Sequence, residues 1–202
     1  MIKRIEHIFK HRKPDIIGDF TKNAVMIPLC ESGKELSILF EVRALDLRHQ
    51  PGDICFPGGK VEEGEIPVRA AIRETLEELN LSREDINLIG QMDYIVAPYN
   101  FIMYPFVCKL NKEYIVPSES EVDHIFKVPL QFFVENEPLL HEVPIVSQPG
   151  KKFPYNLIRN GRNYKFRRGK VKQYFYSYEE YVIWGFTALI IKRFVDIIVS
   201  NE

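Results

Sequence analysis

The chain has 202 residues, 46% of them hydrophobic and 27% charged, with a formal net charge of −1. That length and composition suit one globular domain, 1–202, with a sizeable core. The near-zero charge argues against a global field for nucleic acid or a membrane. The three cysteines, Cys30, Cys55 and Cys108, lie far apart without a C-x-x-C pair. They therefore read as reduced thiols of a cytoplasmic protein, not as a disulfide framework or a zinc site.

Residues 1–20 form a basic extension. Within it Ile2, Ile5, Ile8 and Phe9 recur at helical spacing among Lys3, Arg4, Lys10, Arg12 and Lys13. The stretch lacks an apolar core segment and a cleavage site, so it is expected to be a surface-packed helix and not a secretory signal. Ala24–Leu29 and Leu36–Val42 are apolar, β-branched or aromatic runs around Cys30–Lys34, which predicts a hairpin. Asp53–Phe56 is a short strand, stopped by Pro57-Gly58-Gly59. A helix over Ile66–Leu79 follows, its first turn marked by Pro67.

Leu88–Ala97, Met103–Leu110 and Val122–Val128 continue as strands, and Pro129–Val134 as one helical turn. His141–Val146, Phe153–Ile158 and Tyr164–Arg168 extend the β pattern, with Asn160-Gly161 as a hairpin turn between the last two. The apolar stretch from 182 to 200 is interrupted by Lys192, Arg193 and Asp196, charges that are costly in lipid. Ile183, Phe186, Ile190, Phe194 and Ile197 recur at helical spacing, so the stretch reads as a helix packed on the domain. Strands mixed with two substantial helices suggest a mixed sheet with helices on opposite faces.

The chemistry concentrates in the predicted first long helix. Glu74, Glu77 and Glu78 stand at i, i+3 and i+4 and so share one face. Unneutralised, each like-charge pair costs roughly 0.2–0.5 kcal/mol, whereas a hard divalent cation takes oxygen ligands and favours such a cluster. Gly59, Glu65, Arg73, Glu74, Glu77 and Glu78 fall at the spacing of the Nudix box, G-x5-E-x7-R-E-U-x-E-E-x-G-U. The chain resembles the Nudix hydrolases on that motif. Thr75 stands where the motif has an aliphatic residue, with its methyl free to turn inward. Asn80 stands where the motif has Gly, and Asn is the next residue best suited to the left-handed conformation that ends a helix.

A second element narrows the resemblance. Arg43-Ala44-Leu45-Asp46-Leu47-Arg48 leads through Gly52 to Phe56-Pro57-Gly58-Gly59, similar to the R-[S/A]-x3-R-x3-G-x3-F-P-G-G run of the coenzyme A diphosphatases. Glu121–Leu130 and Trp184–Ala188 resemble that subfamily's E-V-x-x-x-F-x-V-P-L and W-G-x-T-A segments.

The resemblance implies an α/β/α sandwich and an enzyme that splits coenzyme A, or a derivative, into 3′,5′-ADP and 4′-phosphopantetheine. It implies Mg2+ or Mn2+ as cofactor, held by Glu74, Glu77 and Glu78 with Gly59 and Glu65. Arg73 orients the acids, and the base that takes the water's proton is a box Glu (Glu74 or Glu77), Glu121 or its neighbour Glu119. Arg43 and Arg48, with planar donors suited to phosphate oxygens, and Gly58, beside the diphosphate, are the candidate substrate contacts. Gly58 and Gly59 are expected to let backbone groups approach the metal and phosphate.

Lys151–Lys172 holds nine Lys and Arg residues and no acid. With Tyr155, Tyr164 and Phe166 interleaved, it suits a phosphate and an adenine, a strand of RNA, or plain solvent. The expected partner is a small molecule, in a monomer or homodimer. Two other readings stay open. One is a Nudix pyrophosphatase acting on ADP-ribose, dinucleotides or (d)NTPs; the other is a non-catalytic nucleotide-binding regulator, against which the intact acids argue.

Overall fold

The structure is a computed structural model that describes residues 1–98 and 100–200. Helix α1 (Ile2–His11) precedes a central strand β1 (Thr21–Ser32), which turns through a tight loop into β2 (Glu35–Arg43). Short strands β3 (Ile54–Cys55) and β4 (Gly58–Lys60) lead to α2 (Pro67–Glu78). Then come β5 (Ile86–Gln91), β6 (Ile95–Ala97), β7 (Phe101–Leu110), β8 (Val122–Pro129) and α3 (Leu130–Glu135). The chain continues through β9 (Leu139–Val146), β10 (Arg168–Tyr178) and β11 (Tyr181–Trp184) into α4 (Gly185–Ser200).

Strands β1 to β8 make one mixed sheet, in which β1 pairs with β7 in parallel and with β2 and β4 antiparallel. β9, β10 and β11 form a separate antiparallel sheet.

Alternation along β1 and β2 builds two cores, because successive strand side chains point to opposite faces. Ala24, Met26, Cys30 and Leu39 pack with Ala70, Ala71 and Leu79 of α2 on one face. Val25, Ile27, Ile38 and Phe40 pack with Ala188, Ile191 and Phe194 of α4 on the other. Helices on both faces of a mixed sheet, with a long C-terminal helix, are the architecture expected from the sequence. No described helix is long and apolar enough to cross a membrane.

Several expected elements are corrected. The strand before Pro57-Gly58-Gly59 does stop, at Cys55, but Gly58–Lys60 is itself a strand, β4, paired with Asn23–Val25. Leu88–Ala97 is two strands, β5 and β6. A bulge between Leu88 and Gly90 shifts the register, and Met92 N–H turns to the Pro105 carbonyl. Phe153–Ile158 and Tyr164–Arg168 do not pair. That region forms two short 3-10 turns, and Arg168 begins β10, which pairs with β9 instead.

Asn160 and Gly161 do adopt the positive φ of a turn, 71° and 50°, but no strands flank them. Phe153 packs edge-on against Tyr155 and Phe166, and Tyr164 against Phe166. These rings therefore pack on one another and do not alternate across a sheet. The helix expected from 182 starts at Gly185, because Val182–Trp184 belong to β11, paired with Phe175–Ser177. α1 is helical as expected, but none of its residues is buried, so its apolar stripe is not packed on the domain.

Candidate active site

Helix α2 carries the acids and is positioned at both ends. Pro67 occupies its first turn, where a missing N–H costs nothing. Asn80 takes φ +48°, and Leu81 N–H closes back onto the Leu76 carbonyl, ending the helix as a left-handed cap does. The departure at Thr75 is accommodated: its side chain is fully buried and its hydroxyl donates to the Ala71 carbonyl at 2.6 Å. That bond satisfies the polar atom within the helix.

Arg73 gathers three acids. Its guanidinium meets Glu65 at 3.0 Å, Glu74 at 2.7 Å and Glu77 at 3.6 Å, and it also donates to the Lys60 carbonyl. The hydrogen bond from Arg73 holds the Glu65 carboxyl below its usual range.

Glu78 behaves differently. It is 4% exposed and accepts the Gly58 N–H at 2.8 Å. Burial pushes its pKa up, and the charges of Glu41, Glu74 and Glu121 push it further, against the lowering by Gly58. The structural reason for the two glycines also becomes visible. A Cβ on Gly59 would lie 2.4 Å from the Glu74 carboxyl carbon, so this glycine makes room for an acid of the site. A Cβ on Gly58 would strike the Ala24 carbonyl at 2.3 Å. Gly58 is thus required by the approach of β1, and its N–H holds Glu78.

Glu41, which the sequence reading passed over, belongs to this group. It is 1% exposed, with one oxygen accepting the Cys55 Sγ–H at 3.1 Å. Burial raises its pKa most, and Glu121 and Glu74 add to the rise, while Cys55 and Arg43 oppose it. An acid inside the apolar run of β2 was the available signal. Cys55 is itself largely buried, and burial followed by the Glu41 charge holds its thiol far above the usual range, so it stays a neutral donor.

The remaining candidates are less enclosed. Glu77 is exposed apart from its contact with Arg73. Glu121 is exposed at the start of β8, where its carbonyl accepts the Ala44 N–H; its charge reaches both Glu41 and Glu78. Glu119 is exposed in the preceding turn. Arg43 donates from Nε to the His49 carbonyl at 3.4 Å, and Arg48 is exposed. Neither arginine makes an ion pair among the described residues.

A cavity of about 310 Å3 is lined by Arg43, Asp53, Cys55, Gln173, Trp184 and Phe186 among others, with Cys55 its link to the acids. The Gln173 carbonyl oxygen is buried without a partner. A larger cleft of about 660 Å3 lies between residues 15–22 and 60–65, away from Arg43 and Cys55. Both reach the acid site, the larger through Glu65 and the smaller through Cys55, which bonds Glu41; the smaller one also holds Arg43. In the basic 151–172 segment Arg162 stacks over Tyr155 at 5.2 Å and Lys170 pairs with Glu142.

Whether a divalent cation suits this site is a question of donors. Among the described residues no three acid, His or Cys side chains already converge on one point; Glu74 is drawn to Arg73 and Glu77 faces solvent. The donor set nevertheless fits a hard cation. Glu41 Oε2 is buried without a partner, and burial together with neighbouring carboxylate charge raises the pKa values of Glu41 and Glu78. Oxygen-only clusters of this kind are what Mg2+ and Mn2+ take.

A mixed sheet between two helices, with Arg73 and four glutamates gathered at the glycine loop, is the arrangement of a metal-dependent phosphoanhydride hydrolase. Residues 20–143 match the NUDIX domain, more than half of the chain, and the chain belongs to the Nudix hydrolases. That family generally uses divalent cations and acts on nucleoside diphosphate compounds.

The chain is 24% identical over 201 residues to Nudix hydrolase 3 of Caenorhabditis elegans, covering 95% of this chain and 80% of that one. It is 31% identical over 134 residues to the peroxisomal coenzyme A diphosphatase NUDT7 of Mus musculus (65% and 56% covered). It is 38% identical over 117 residues to the peroxisomal coenzyme A diphosphatase ndx-8 of Caenorhabditis elegans (55% and 50% covered). The chain thus spans about half the length of those two diphosphatases. A MutT/nudix family protein from Enterococcus faecalis shares the fold, with a TM-score of 0.54 over 98% of this chain and 70% of that one, at 15% identity.

Proposed function

We propose that this chain cleaves the diphosphate of coenzyme A or a close derivative, giving 3′,5′-ADP and 4′-phosphopantetheine. The observation that carries the reading is the position of Arg43. It lines the cavity that Cys55 also lines, and Cys55 is bonded to Glu41 within the acid cluster. A cation for a phosphate and a cavity for an organic group therefore lie next to the residues that handle the diphosphate. The Arg43–Gly59 element and the similarity to two proteins named coenzyme A diphosphatases support the same substrate.

In this reading Glu74, Glu77 and Glu78, with Gly59 and Glu65, would hold the divalent cation. When bound, it neutralises the diphosphate and favours ionisation of water. Arg73 fixes Glu65 and Glu74 in place. Glu121 takes the proton from the attacking water, whose oxygen bonds to phosphorus as the bond to the bridging oxygen breaks. Arg43 and Arg48 face the separate 3′-phosphate of the substrate with guanidinium donors. Trp184 and Phe186 line the space for its apolar or ring portions, and Gln173 offers its unpaired carbonyl to an N–H or O–H donor.

The test is a substrate panel with Mg2+ and with Mn2+, products separated chromatographically. Coenzyme A is expected to give the highest kcat/KM among coenzyme A, ADP-ribose, NADH, diadenosine polyphosphates and dNTPs. A preference for ADP-ribose, dinucleotides or dNTPs assigns the chain to that substrate class, and no turnover of any leaves a nucleotide-binding role.

A further inference from the structure

Glu41 is the most confined charged side chain near the site, and nothing in the Nudix box accounts for it. β2 alternates: Ile38 and Phe40 enter the α4-side core, while Leu39 packs beneath α2. Glu41 continues the Leu39 face. Its strand neighbours are Cys55 on β3 and Ile125 on β8, and only 1% of it is exposed. One carboxyl oxygen accepts the Cys55 thiol; the other is buried with no partner. An ionised carboxylate in such a place is costly unless it is paired or bound to a metal.

Among the described residues no cationic side chain hydrogen-bonds or ion-pairs with Glu41. Glu78, Glu74 and Glu121 are all close enough to repel it. Arg73 is occupied by Glu65, Glu74 and Glu77. Arg43 attracts Glu41 only through space, its Nε donating to the His49 carbonyl. Glu41 therefore sits among the carboxylates of the site with one oxygen that no arginine or lysine hydrogen-bonds. Cys55 supplies the complementary feature, because a neutral thiol bonded to one oxygen fixes the carboxylate and leaves the other free. Hydrogen bonds of that kind orient metal ligands.

We propose that Glu41 is an additional carboxylate ligand of the divalent cation, binding through the oxygen left unpaired on the sheet side of α2, with Cys55 as the residue that positions it. The inference rests on the assignment of Glu74 and Glu78 to that cation.

The experiment is Mn2+ binding to the metal-stripped full chain, by calorimetry and by the loss of free Mn2+ signal in electron paramagnetic resonance. Wild type, Glu41→Gln, Glu78→Gln and Cys55→Ala are compared, with melting temperatures taken with and without Mn2+. Glu41→Gln is expected to bind Mn2+ at least tenfold more weakly and to lose most of the Mn2+-induced rise in Tm. Its metal-free form at pH 8 should melt no lower than wild type, because one of the repelling charges is gone. Cys55→Ala should weaken binding by a smaller factor.

Wild-type Mn2+ affinity and stoichiometry in Glu41→Gln, with binding lost in Glu78→Gln, overturns the proposal and leaves Glu41 as a partner of Cys55 alone. Should Glu78→Gln bind normally while Glu41→Gln does not, the box assignment falls and the role of Glu41 stands. If the Gln variant does not fold, Glu41→Asp replaces it. That variant keeps the charge but withdraws the oxygen by one methylene, and unchanged Mn2+ affinity in it counts against the proposal equally.

Discussion

Phe40 and Glu41 are adjacent on β2 and equally buried, at 0% and 1% exposure, yet they enter opposite faces of the main sheet. Phe40 stacks between Phe56 and Phe126, with ring centroids at 5.1 and 5.4 Å, in a core closed by α3 and α4. Glu41 lies under α2 in the company of Glu74, Glu78 and Glu121. The α4 face gains free energy from every apolar surface it removes from water. At its acid end the α2 face buries Glu41 and Glu78 among like charges, and burial and that repulsion raise both pKa values, a cost that persists until protons or a cation arrive. The comparison separates the part of the molecule that holds the fold together from the part that is strained for use.

The sharpest way to test that separation is Glu78→Gln. The substitution keeps the shape and removes a charge from the α2 face, so we expect a loss of about a thousandfold in kcat, ~4 kcal/mol in the barrier. The fold should persist, and circular dichroism with steady-state kinetics at limiting Mg2+ checks both. Glu74→Gln should act in the same direction.

The converse substitution is Phe40→Ala, which empties the middle of the aromatic stack. It should cost about 3 kcal/mol of stability in denaturant unfolding, while activity per folded molecule remains close to wild type.

Smaller effects map the edge of the acid face. Arg43→Ala should narrow the preference for coenzyme A over 3′-dephospho-coenzyme A, by the ~2 kcal/mol of a charge-assisted hydrogen bond. If neither Arg43→Ala nor Arg48→Ala changes that ratio, the 3′-phosphate is read elsewhere, and Lys151–Lys172 becomes the region to mutate. Glu121→Gln should lower kcat at least tenfold, ~1.4 kcal/mol, with directly measured substrate affinity little changed. More than a tenth of wild-type kcat would return the role of base to the box.

The weakest effect to measure, and the most direct on the strain itself, is pH. In metal-free protein Glu41 and Glu78 have folded pKa values above their ordinary 4.5. The folded state therefore binds more protons than the unfolded one above that pH. Their contribution to stability is complete below it and is lost as pH rises through the folded values. Tm in the presence of a chelator should fall on going from pH 5 to pH 9. Each kcal/mol lost lowers Tm by about 2–4 °C for a chain of this size, and Glu78→Gln should flatten the slope.

The sequence by itself determined the α2 helix, its acid face and its ends, because those depend on neighbours three and four residues apart and on Pro67 and Asn80. It also determined the β1–β2 hairpin and the presence of a long C-terminal helix, since apolar periodicity is a local signal. Tertiary structure decided what lies beyond that reach. The 153–168 region has turn residues and aromatic rings that suited a hairpin, but the rings found one another and β10 found β9.

Gly58 was legible as a special position, yet only the approach of Ala24 on β1 shows what its missing side chain makes room for. Glu41 was visible as an acid in an apolar strand; which face it entered, and that Cys55 and the box acids awaited it there, depended on β2–β3 register and on the packing of α2, more than thirty residues further along the chain. Gln173 and Trp184 reach the cavity from the second sheet in the same way. Local pattern sets which elements form. The company a buried charge keeps is set by pairing between distant segments, which periodicity within one segment does not encode.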